Sequence, residues 1–198
     1  ALRVELLVQA ETDMALTAGS SVAAAVPTVN IANSKMVIPQ TMTLNFQSGI
    51  AEDTLLFGSI HKADWDTAQI TIPGTNVGVN PVTGALDTTV LPVSSAFTTK
   101  TAYSVGVGRK INESFSALGS YSTEAGGGAL SADAFTLTDG SQTLGFGVRY
   151  TKDNMTVTGG YSYTKVGDVT VGVTATGQSA TYANNSVTGL GLKIGFAF

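Results

Sequence analysis

The sequence predicts an all-β protein, an antiparallel transmembrane β-barrel with eight strands in this chain, and three observations lead to that prediction. Large apolar residues alternate with small or polar ones along seven of the eight candidate strands. The segments between these strands are alternately long and short. Charged residues make up only 12% of the chain, about half the usual share of a soluble domain.

The last eleven residues, TGLGLKIGFAF, show the alternation most clearly. Five large apolar side chains fall on one side of the strand: Leu190, Leu192, Ile194, Phe196 and Phe198. The other side carries glycine, alanine and Lys193. A wall with lipid outside and a roomy interior needs strands of this kind, whereas a soluble sandwich rarely sets such a row against glycine.

The predicted strands follow one another through the whole chain. They lie at about 1–11, 40–51, 54–65, 101–110, 114–124, 143–150, 155–163 and 188–198. The strand at 54–65 has large apolar residues on both sides, so its inward side is left unassigned. The long segments 12–39, 66–99, 125–140 and 166–186 are expected together at one end of the barrel, with short turns at the other.

Composition excludes several classes of protein. The net charge is −4 with no basic cluster, which argues against a nucleic-acid partner. The chain has no cysteine, which removes thiol catalysis and disulfides. No apolar run approaches the roughly 18 residues of a membrane helix. On the assigned apolar sides no charged residue appears, as expected where a lipid-facing Arg or Lys costs about 2–4 kcal/mol.

The inward sides are too small to fill a closed eight-stranded barrel. Such a barrel has an interior that side chains just fill, yet several strands offer mainly Gly, Ser and Thr inward. The chain also begins inside a periodic segment, ALRVELLVQAE. We therefore expect residues 1–198 to form a single barrel segment that is part of a wider or plugged barrel, with amino-terminal strands missing from it.

Several stretches together resemble the carboxyl-terminal half of the FadL family. They are ALRVELLVQAE, PQTMTLNFQSGIAEDTLLFGSIHKADW, YSVGVGRKINESFSALGSYSTE, TDGSQTLGFGVRYTKDNMTVTGGYSY and the terminal phenylalanine. The resemblance covers nearly all of the chain, and the Pro-Gln before 41 and the Trp at 65 are its most specific matches. It implies a barrel of about fourteen strands in the outer membrane of a Gram-negative bacterium, with a hatch and lateral opening.

The resemblance also implies a function, which is passive transport of long-chain fatty acids or other hydrophobic small molecules. The implied partners are membrane lipid, the hydrophobic ligand and the missing amino-terminal part of the same barrel. A general porin and a small structural or adhesive outer-membrane barrel are the alternatives. No enzymatic activity and no cofactor are expected.

Two groups of residues are candidates for ligand binding. Arg149 and Lys193 are charges on small-residue sides, where they either attract a substrate carboxylate or form internal ion pairs with Glu5 or a hatch. The long segment after the first strand is unusually apolar, and it either packs on its neighbours or receives an apolar ligand. Its candidate contacts are Leu16, Val26, Ile31 and Met36.

Two further expectations concern assembly and catalysis. Phe196 and Phe198 share the apolar row of a carboxyl-terminal strand, a pattern that resembles the signal read by barrel assembly machinery. His61 lies near Ser59, Asp64 and Asp66, which could suggest a hydrolase or, for the two aspartates, a cation site. We expect neither, because a base needs an oriented nucleophile and calcium needs more oxygen ligands.

Overall fold

The computed structural model describes residues 1–16, 34–69, 71–79, 82–84, 86–95, 97–126, 130–131, 138–173 and 178–197. Its strands in chain order are β1 (Leu2–Gln9), β2 (Thr12–Leu16), β3 (Ser34–Ile38), β4 (Thr41–Ala51), β5 (Thr54–Ala63), β6 (Thr71–Val79), β7 (Leu86–Ser94), β8 (Lys100–Lys110), β9 (Phe115–Glu124), β10 (Leu130–Ser131), β11 (Ser141–Lys152), β12 (Met155–Val166), β13 (Val169–Val173), β14 (Gln178–Tyr182) and β15 (Ser186–Phe196). A short 3-10 helix spans Trp65–Thr67. Among the described residues, no helix is long and apolar enough to cross a bilayer.

The eight predicted strands form one antiparallel sheet in the order β1-β4-β5-β8-β9-β11-β12-β15. Each strand pairs with its neighbours in this order over eight to twelve residues. The β4–β5 register shifts once, between Gly49 and Ala51. The observed bounds differ from the predicted ones by three residues at most, as at the end of β12, which is Val166 where the prediction gave 163. The predicted fold class is therefore confirmed. β1 and β15 are the edges of the sheet, which is open between them.

The two faces of this sheet differ in chemistry, because residues that partner across a ladder point to the same side. The apolar face carries Leu2, Val4, Leu6, Val8, Met42, Leu44, Phe46, Ile60, Tyr103, Val105, Val107, Tyr121, Leu144, Phe146, Val148, Tyr161, Tyr163, Leu190, Leu192, Ile194 and Phe196. The small-residue face carries Thr43, Asn45, Ser59, Ser104, Gly106, Gly108, Ser116, Ser120, Ser122, Thr143, Gly145, Gly147, Thr158, Gly160, Ser162, Gly189, Gly191 and Gly195.

The apolar face is uncovered. Leu190 is 83% exposed and Leu192 is 73% exposed, and most of their neighbours on this face are exposed as well. Among the described residues, the buried hydrophobic ones are Ala63, Ala68 and Val169. A single layer of this kind has no water-excluding core of its own, so the apolar face requires lipid or another apolar phase to cover it.

Short turns join the strands of the main sheet at one end, which we call the short-turn end. Asp53 and Asp153 adopt positive φ values of 55° and 52° in the turns after β4 and β11, a conformation that Asp tolerates better than most residues. In the turn after β8, the Oδ1 atom of Asn112 accepts hydrogen bonds from the backbone N–H groups of Ser114 and Phe115, both at 2.9 Å. These are the turns predicted from the sequence.

The opposite, long-loop end carries small extra sheets. Strands β2 and β3 pair as a hairpin, β6 and β7 pair as a second one, and β10, β13 and β14 form a three-stranded sheet. The stretch between β5 and β8, whose prolines argue against central strands, contains the β6–β7 hairpin, in which Pro73 partners Pro92. A two-stranded sheet has only edge strands, which is where proline is tolerated.

A cluster of side-chain contacts fixes the base of the β6–β7 hairpin to the main sheet. The two carboxylate oxygens of Asp66 accept hydrogen bonds from the N–H and Oγ1 of Thr99, at 2.7 and 2.8 Å. The amide of Gln69 binds the backbone of Phe97, donating to its carbonyl at 2.7 Å and accepting from its N–H at 3.1 Å. The rings of Trp65 and Phe97 meet edge to face at 6.0 Å.

Candidate functional site

The small-residue face is the candidate functional site, because it holds the polar contacts of the sheet. Two hydroxyl pairs join neighbouring strands on it, Ser59 with Ser104 and Thr143 with Thr164, each at 2.8 Å. The Oγ1 atom of Thr43 lies 2.7 Å from Nδ1 of His61. These contacts satisfy polar groups across the ladder and hold their side chains flat against the wall.

The structure assigns the strand whose facing the sequence left open. In β5, Leu56, Gly58 and Ile60 share the apolar face with their partners on β4. Leu55 and Phe57 therefore lie on the small-residue face, together with Ser59 and His61. Leu55 and Phe57 thus add large apolar side chains to a face that is mostly small or polar.

Phe57 lies against glycine on the neighbouring strand. A Cβ atom added to Gly106 would overlap the Phe57 ring and would come within 2.9 Å of the Gly119 carbonyl oxygen. Leu118 has the same relation to Gly147, where an added Cβ would lie 3.1 Å from its Cγ. These glycines give room for large side chains to lie along the wall.

A cavity of about 660 Å³ opens on the small-residue face toward the short-turn end. Among the lining residues on the small-residue face, the large apolar ones are Leu55, Phe57 and Leu118. Lys110 and Arg149 also line it. A pocket that combines apolar walls with a few charged groups matches the usual form of a small-molecule site.

A second cavity of about 320 Å³ lies beside the first, and Phe57 lines both. This one is polar: Arg3, Glu5 and Asn45 line it. The Glu5 carboxylate pairs with Arg3 at 3.5 Å and accepts a hydrogen bond from Asn45 Nδ2 at 3.4 Å. Phe57 is thus common to a polar network and an apolar surface.

The two predicted cations lie in a single row, meaning a set of residues that partner one another across successive strands. Arg149 partners Thr158, and Thr158 partners Lys193. In the other direction Arg149 partners Ser116, which partners Lys110. Three cations therefore alternate with two hydroxyl residues in this row, which we call the cation row, at about 10 Å from one cation to the next.

The sequence did not identify Lys110 as a site residue, because Lys110 is the last residue of the predicted strand at 101–110. The alternation in β8 contained the signal, since Gly106, Gly108 and Lys110 share one side of that strand. No described carboxylate lies within ion-pair distance of Lys110, Arg149 or Lys193. Glu5 pairs with Arg3 at 3.5 Å, and the choice between a substrate carboxylate and an internal ion pair for Arg149 and Lys193 stays a prediction.

The residues considered for hydrolysis do not form a catalytic arrangement. The described hydrogen bond of His61 goes to Thr43, and Ser59 bonds Ser104. Asp64 pairs with Lys62 at 2.9 Å, while the Asp66 carboxylate accepts from Thr99. Within the part of the chain that the structure describes, no group of three or more His, Cys, Asp and Glu side chains could hold a metal ion.

The remaining predicted site residues belong to the long-loop end and the terminal strand. Leu16 ends β2 opposite Ser34, and Met36 partners Met14 within the β2–β3 hairpin. Val26 and Ile31 lie outside the described residues, as does Phe198. Phe196 lies on the apolar face, partners Met155 and is 57% exposed. Arg149 and Lys193 thus lie in the same row, with Thr158 between them. The ligand-binding role of the loop residues stays a prediction.

Comparison with known proteins adds one finding. The crystal structure of a Pseudomonas aeruginosa FadL homologue superposes with a TM-score of 0.58 at 12% sequence identity, over 82% of this chain and 35% of that one. The likeness is one of fold. The main sheet is thus an antiparallel β-barrel wall, and the chain spans 35% of the length of the homologue. No protein-family model and no curated protein sequence matches the chain.

Proposed function

We propose that the protein is a passive transporter that carries long-chain fatty acids or other hydrophobic small molecules across the outer membrane of a Gram-negative bacterium. The observation that carries the proposal is the cavity on the small-residue face, where Leu55, Phe57 and Leu118 present apolar surface toward the barrel interior. A water-filled pore gains nothing from apolar groups inside it, whereas a hydrophobic solute is held by them. The FadL-like fold supports the barrel architecture.

The proposal requires partners for the apolar face and for both edges of the sheet. The apolar face contacts membrane lipid. The free edges of β1 and β15 pair with further strands of the same barrel, its missing amino-terminal part, because an unpaired backbone polar group in lipid costs several kcal/mol. The 35% share of the homologue that the chain covers is consistent with a larger barrel.

The apolar segment between β1 and β4 serves in this proposal as the external capture surface. Its contacts with the ligand come from Leu16, Val26, Ile31 and Met36. From there the molecule passes into the barrel and reaches the cavity beside Arg149 and Lys193. Transfer down a series of apolar sites needs no energy source, and the bonding of His61 and Ser59 to other partners gives no support for an enzyme.

A general porin is the second candidate, and two glycines of β15 favour it. Nothing lies within 4 Å of a Cβ added to Gly191 or Gly195, so this part of the interior is open. A porin conducts a steady ion current, however, and a transporter of hydrophobic molecules does not. A structural or adhesive barrel would neither conduct ions nor bind a hydrophobic molecule.

Two measurements on the complete protein separate these functions. We expect saturable binding of oleate by protein in lipid nanodiscs, together with little steady ion current in planar bilayers. A large steady current without oleate binding would replace the proposal with a general porin. Neither binding nor current would favour a structural or adhesive barrel.

A further inference from the structure

The apolar face of the main sheet carries cations at both of its ends. Lys62 and Lys165 lie on this face at the long-loop end. Arg109 and Lys152 lie on it at the short-turn end. Ten residues separate Lys165 from Met155, the partner of Lys152, which for a tilted strand is about 25 Å, the height of the apolar band of a barrel. The predicted absence of charge from this face is therefore correct for its middle and wrong for its two ends.

The cations at the long-loop end have acidic neighbours. Lys62 pairs with Asp64 at 2.9 Å. Lys165 lines a cavity of about 350 Å³ whose lining includes the acidic residues Glu124, Asp139 and Asp168. Of these, Asp139 pairs with Lys100 at 3.2 Å. An anion at this end would meet carboxylates as well as ammonium groups, and repulsion between like charges would offset the attraction.

The cations at the short-turn end flank an aromatic pair instead. Phe115 and Tyr150 partner each other across the β9–β11 ladder, and their ring centroids lie 4.8 Å apart. Arg109 partners Ala117, which is two residues from Phe115 on the same face. Lys152 follows Tyr150 by two residues on β11. Aromatic rings at the end of an apolar band lie at the boundary between lipid and water, so these two cations lie at the depth of lipid headgroups.

Neither of these two cations has an internal partner among the described residues. No described carboxylate lies within ion-pair distance of Arg109 or Lys152, and both residues are exposed. The acidic residues of this end belong to the turns beyond the strand ends: Glu52, Asp53, Glu113 and Asp153. Arg109 and Lys152 are therefore the charged groups of this end that lie on the lipid-facing wall itself.

The spacing of the two cations suits one phosphate group. The distances between strands and along them place the Cα atoms of Arg109 and Lys152 about 16 Å apart. A phosphate over the aromatic pair would lie about 8 Å from each Cα, which an extended side chain and a hydrogen bond together span. Arginine binds phosphate through two parallel hydrogen bonds and lysine as a point charge. The Tyr150 hydroxyl is a further donor.

We infer that the short-turn end of the apolar face binds one anionic phospholipid, with its phosphate held by Arg109 and Lys152 over the Phe115–Tyr150 pair. Its acyl chains lie along the uncharged middle of the face. Charge complementarity selects this occupant: a head without an amine, such as phosphatidylglycerol, keeps its negative charge, whereas a zwitterionic head brings an ammonium group toward two cations. The inference goes beyond the proposed function, because this lipid lies on the outer side of the wall and is not the cargo.

Native mass spectrometry of the complete protein in detergent tests this inference, with phosphatidylglycerol and phosphatidylcholine titrated separately. The wild-type protein should bind its first phosphatidylglycerol about tenfold or more tightly than its first phosphatidylcholine. Arg109→Gln and Lys152→Gln should each weaken phosphatidylglycerol binding about fivefold, since one cation near an anionic lipid contributes about that factor. Phosphatidylcholine binding should stay unchanged in both variants.

Lys62→Gln is the matched control, because it removes the same charge from the same face at the other end, where Asp64 already neutralises it. It should leave phosphatidylglycerol binding unchanged. Arg109→Lys keeps the charge and should retain most of the binding, which separates loss of charge from misfolding.

Three results would each overturn the inference: equal binding of the two lipids by the wild-type protein, unchanged binding in both glutamine variants, or an equal loss in Lys62→Gln. Oleate binding is measured separately and decides the proposed function, so either proposal can fail while the other stands.

Discussion

The small-residue face has two halves that are built differently. The filled half, on β4, β5 and β8, carries larger side chains that bond or lie on one another: Asn45, Gln47, Phe57, Ser59, His61 and Ser104. The bare half, on β11, β12 and β15, is mainly backbone: Gly145, Gly147, Gly160, Gly189, Gly191 and Gly195.

The difference teaches that glycine has two uses in one sheet. In the filled half, Gly106 is glycine because the Phe57 ring occupies the space a side chain would need. In the bare half, Gly191 and Gly195 face open space, with nothing within 4 Å of an added Cβ. Glycine accommodates packing at Gly106 and also at Gly147, which lies against Leu118, whereas Gly191 and Gly195 leave the interior open.

Alanine at Gly106 should have the largest effect on stability. The new methyl group overlaps the Phe57 ring and presses on the Gly119 carbonyl, so we expect a loss of about 1–3 kcal/mol. Gly191→Ala meets no atom and should be neutral or should stabilise by about 0.5 kcal/mol, since alanine loses less backbone entropy. Urea unfolding in detergent micelles measures both, and equal losses would erase the distinction between the halves.

A second variant locates the cause of the Gly106 effect. If the ring is the obstacle, Phe57→Ala combined with Gly106→Ala should cost about 1–2 kcal/mol less than the sum of the two single changes. The same unfolding measurement on the double-mutant cycle gives this coupling energy. If the two changes in unfolding free energy are strictly additive, the loss in Gly106→Ala comes from the contact with the Gly119 carbonyl alone.

Hydroxyl pairs offer a like-for-like comparison, because each half has one at 2.8 Å. Ser104→Ala and Thr164→Val should each cost about 0.5–1.5 kcal/mol. Adding the change at the partner, Ser59→Ala or Thr143→Val, should cost little more in either half. Unfolding midpoints of single and double variants test this, and a cost confined to the filled half would show that the bare half gains nothing from its hydroxyl pair.

The outer side of the bare half is expected to matter more in cells than in the folded protein. Phe196 lies on the apolar face, which lipid covers in the proposed barrel, so Phe196→Ala, like Phe198→Ala, should cost refolded protein about 1–3 kcal/mol. If the terminal aromatic residues serve assembly, abundance in the outer membrane of cells should fall much further. Heat-modifiable migration and membrane abundance are the two readouts, and parallel losses would leave only a packing role.

The sequence contained the strands and the two faces of most of them. Alternation is a local property, so Leu190 and Gly191 reveal their sides without any partner. The consecutive apolar residues Leu55, Leu56 and Phe57 do not, and only the pairing of Phe46 with Gly58 decides between the sides. The facing of a strand with consecutive apolar residues can be assigned only from its pairing with a neighbouring strand.

The sequence predicted only part of the candidate site. Arg149 and Lys193 could be placed on the inward side of their own strands. Their common row with Lys110 depends on the register of four successive ladders, which no local pattern specifies. The hairpins β2–β3 and β6–β7 were predicted as loops for the same reason, since their pairing joins residues across a long or proline-containing stretch.

The order of the main sheet follows the order of the chain, with each strand beside the one that precedes and follows it among the eight. The unit that can be added or removed is therefore a hairpin. Removing two consecutive strands leaves every remaining residue on its original face and both ends of the wall on their original sides. Removing a single strand would reverse the direction of all that follow and exchange short turns for long loops, so a barrel of this design grows or shrinks in pairs of strands.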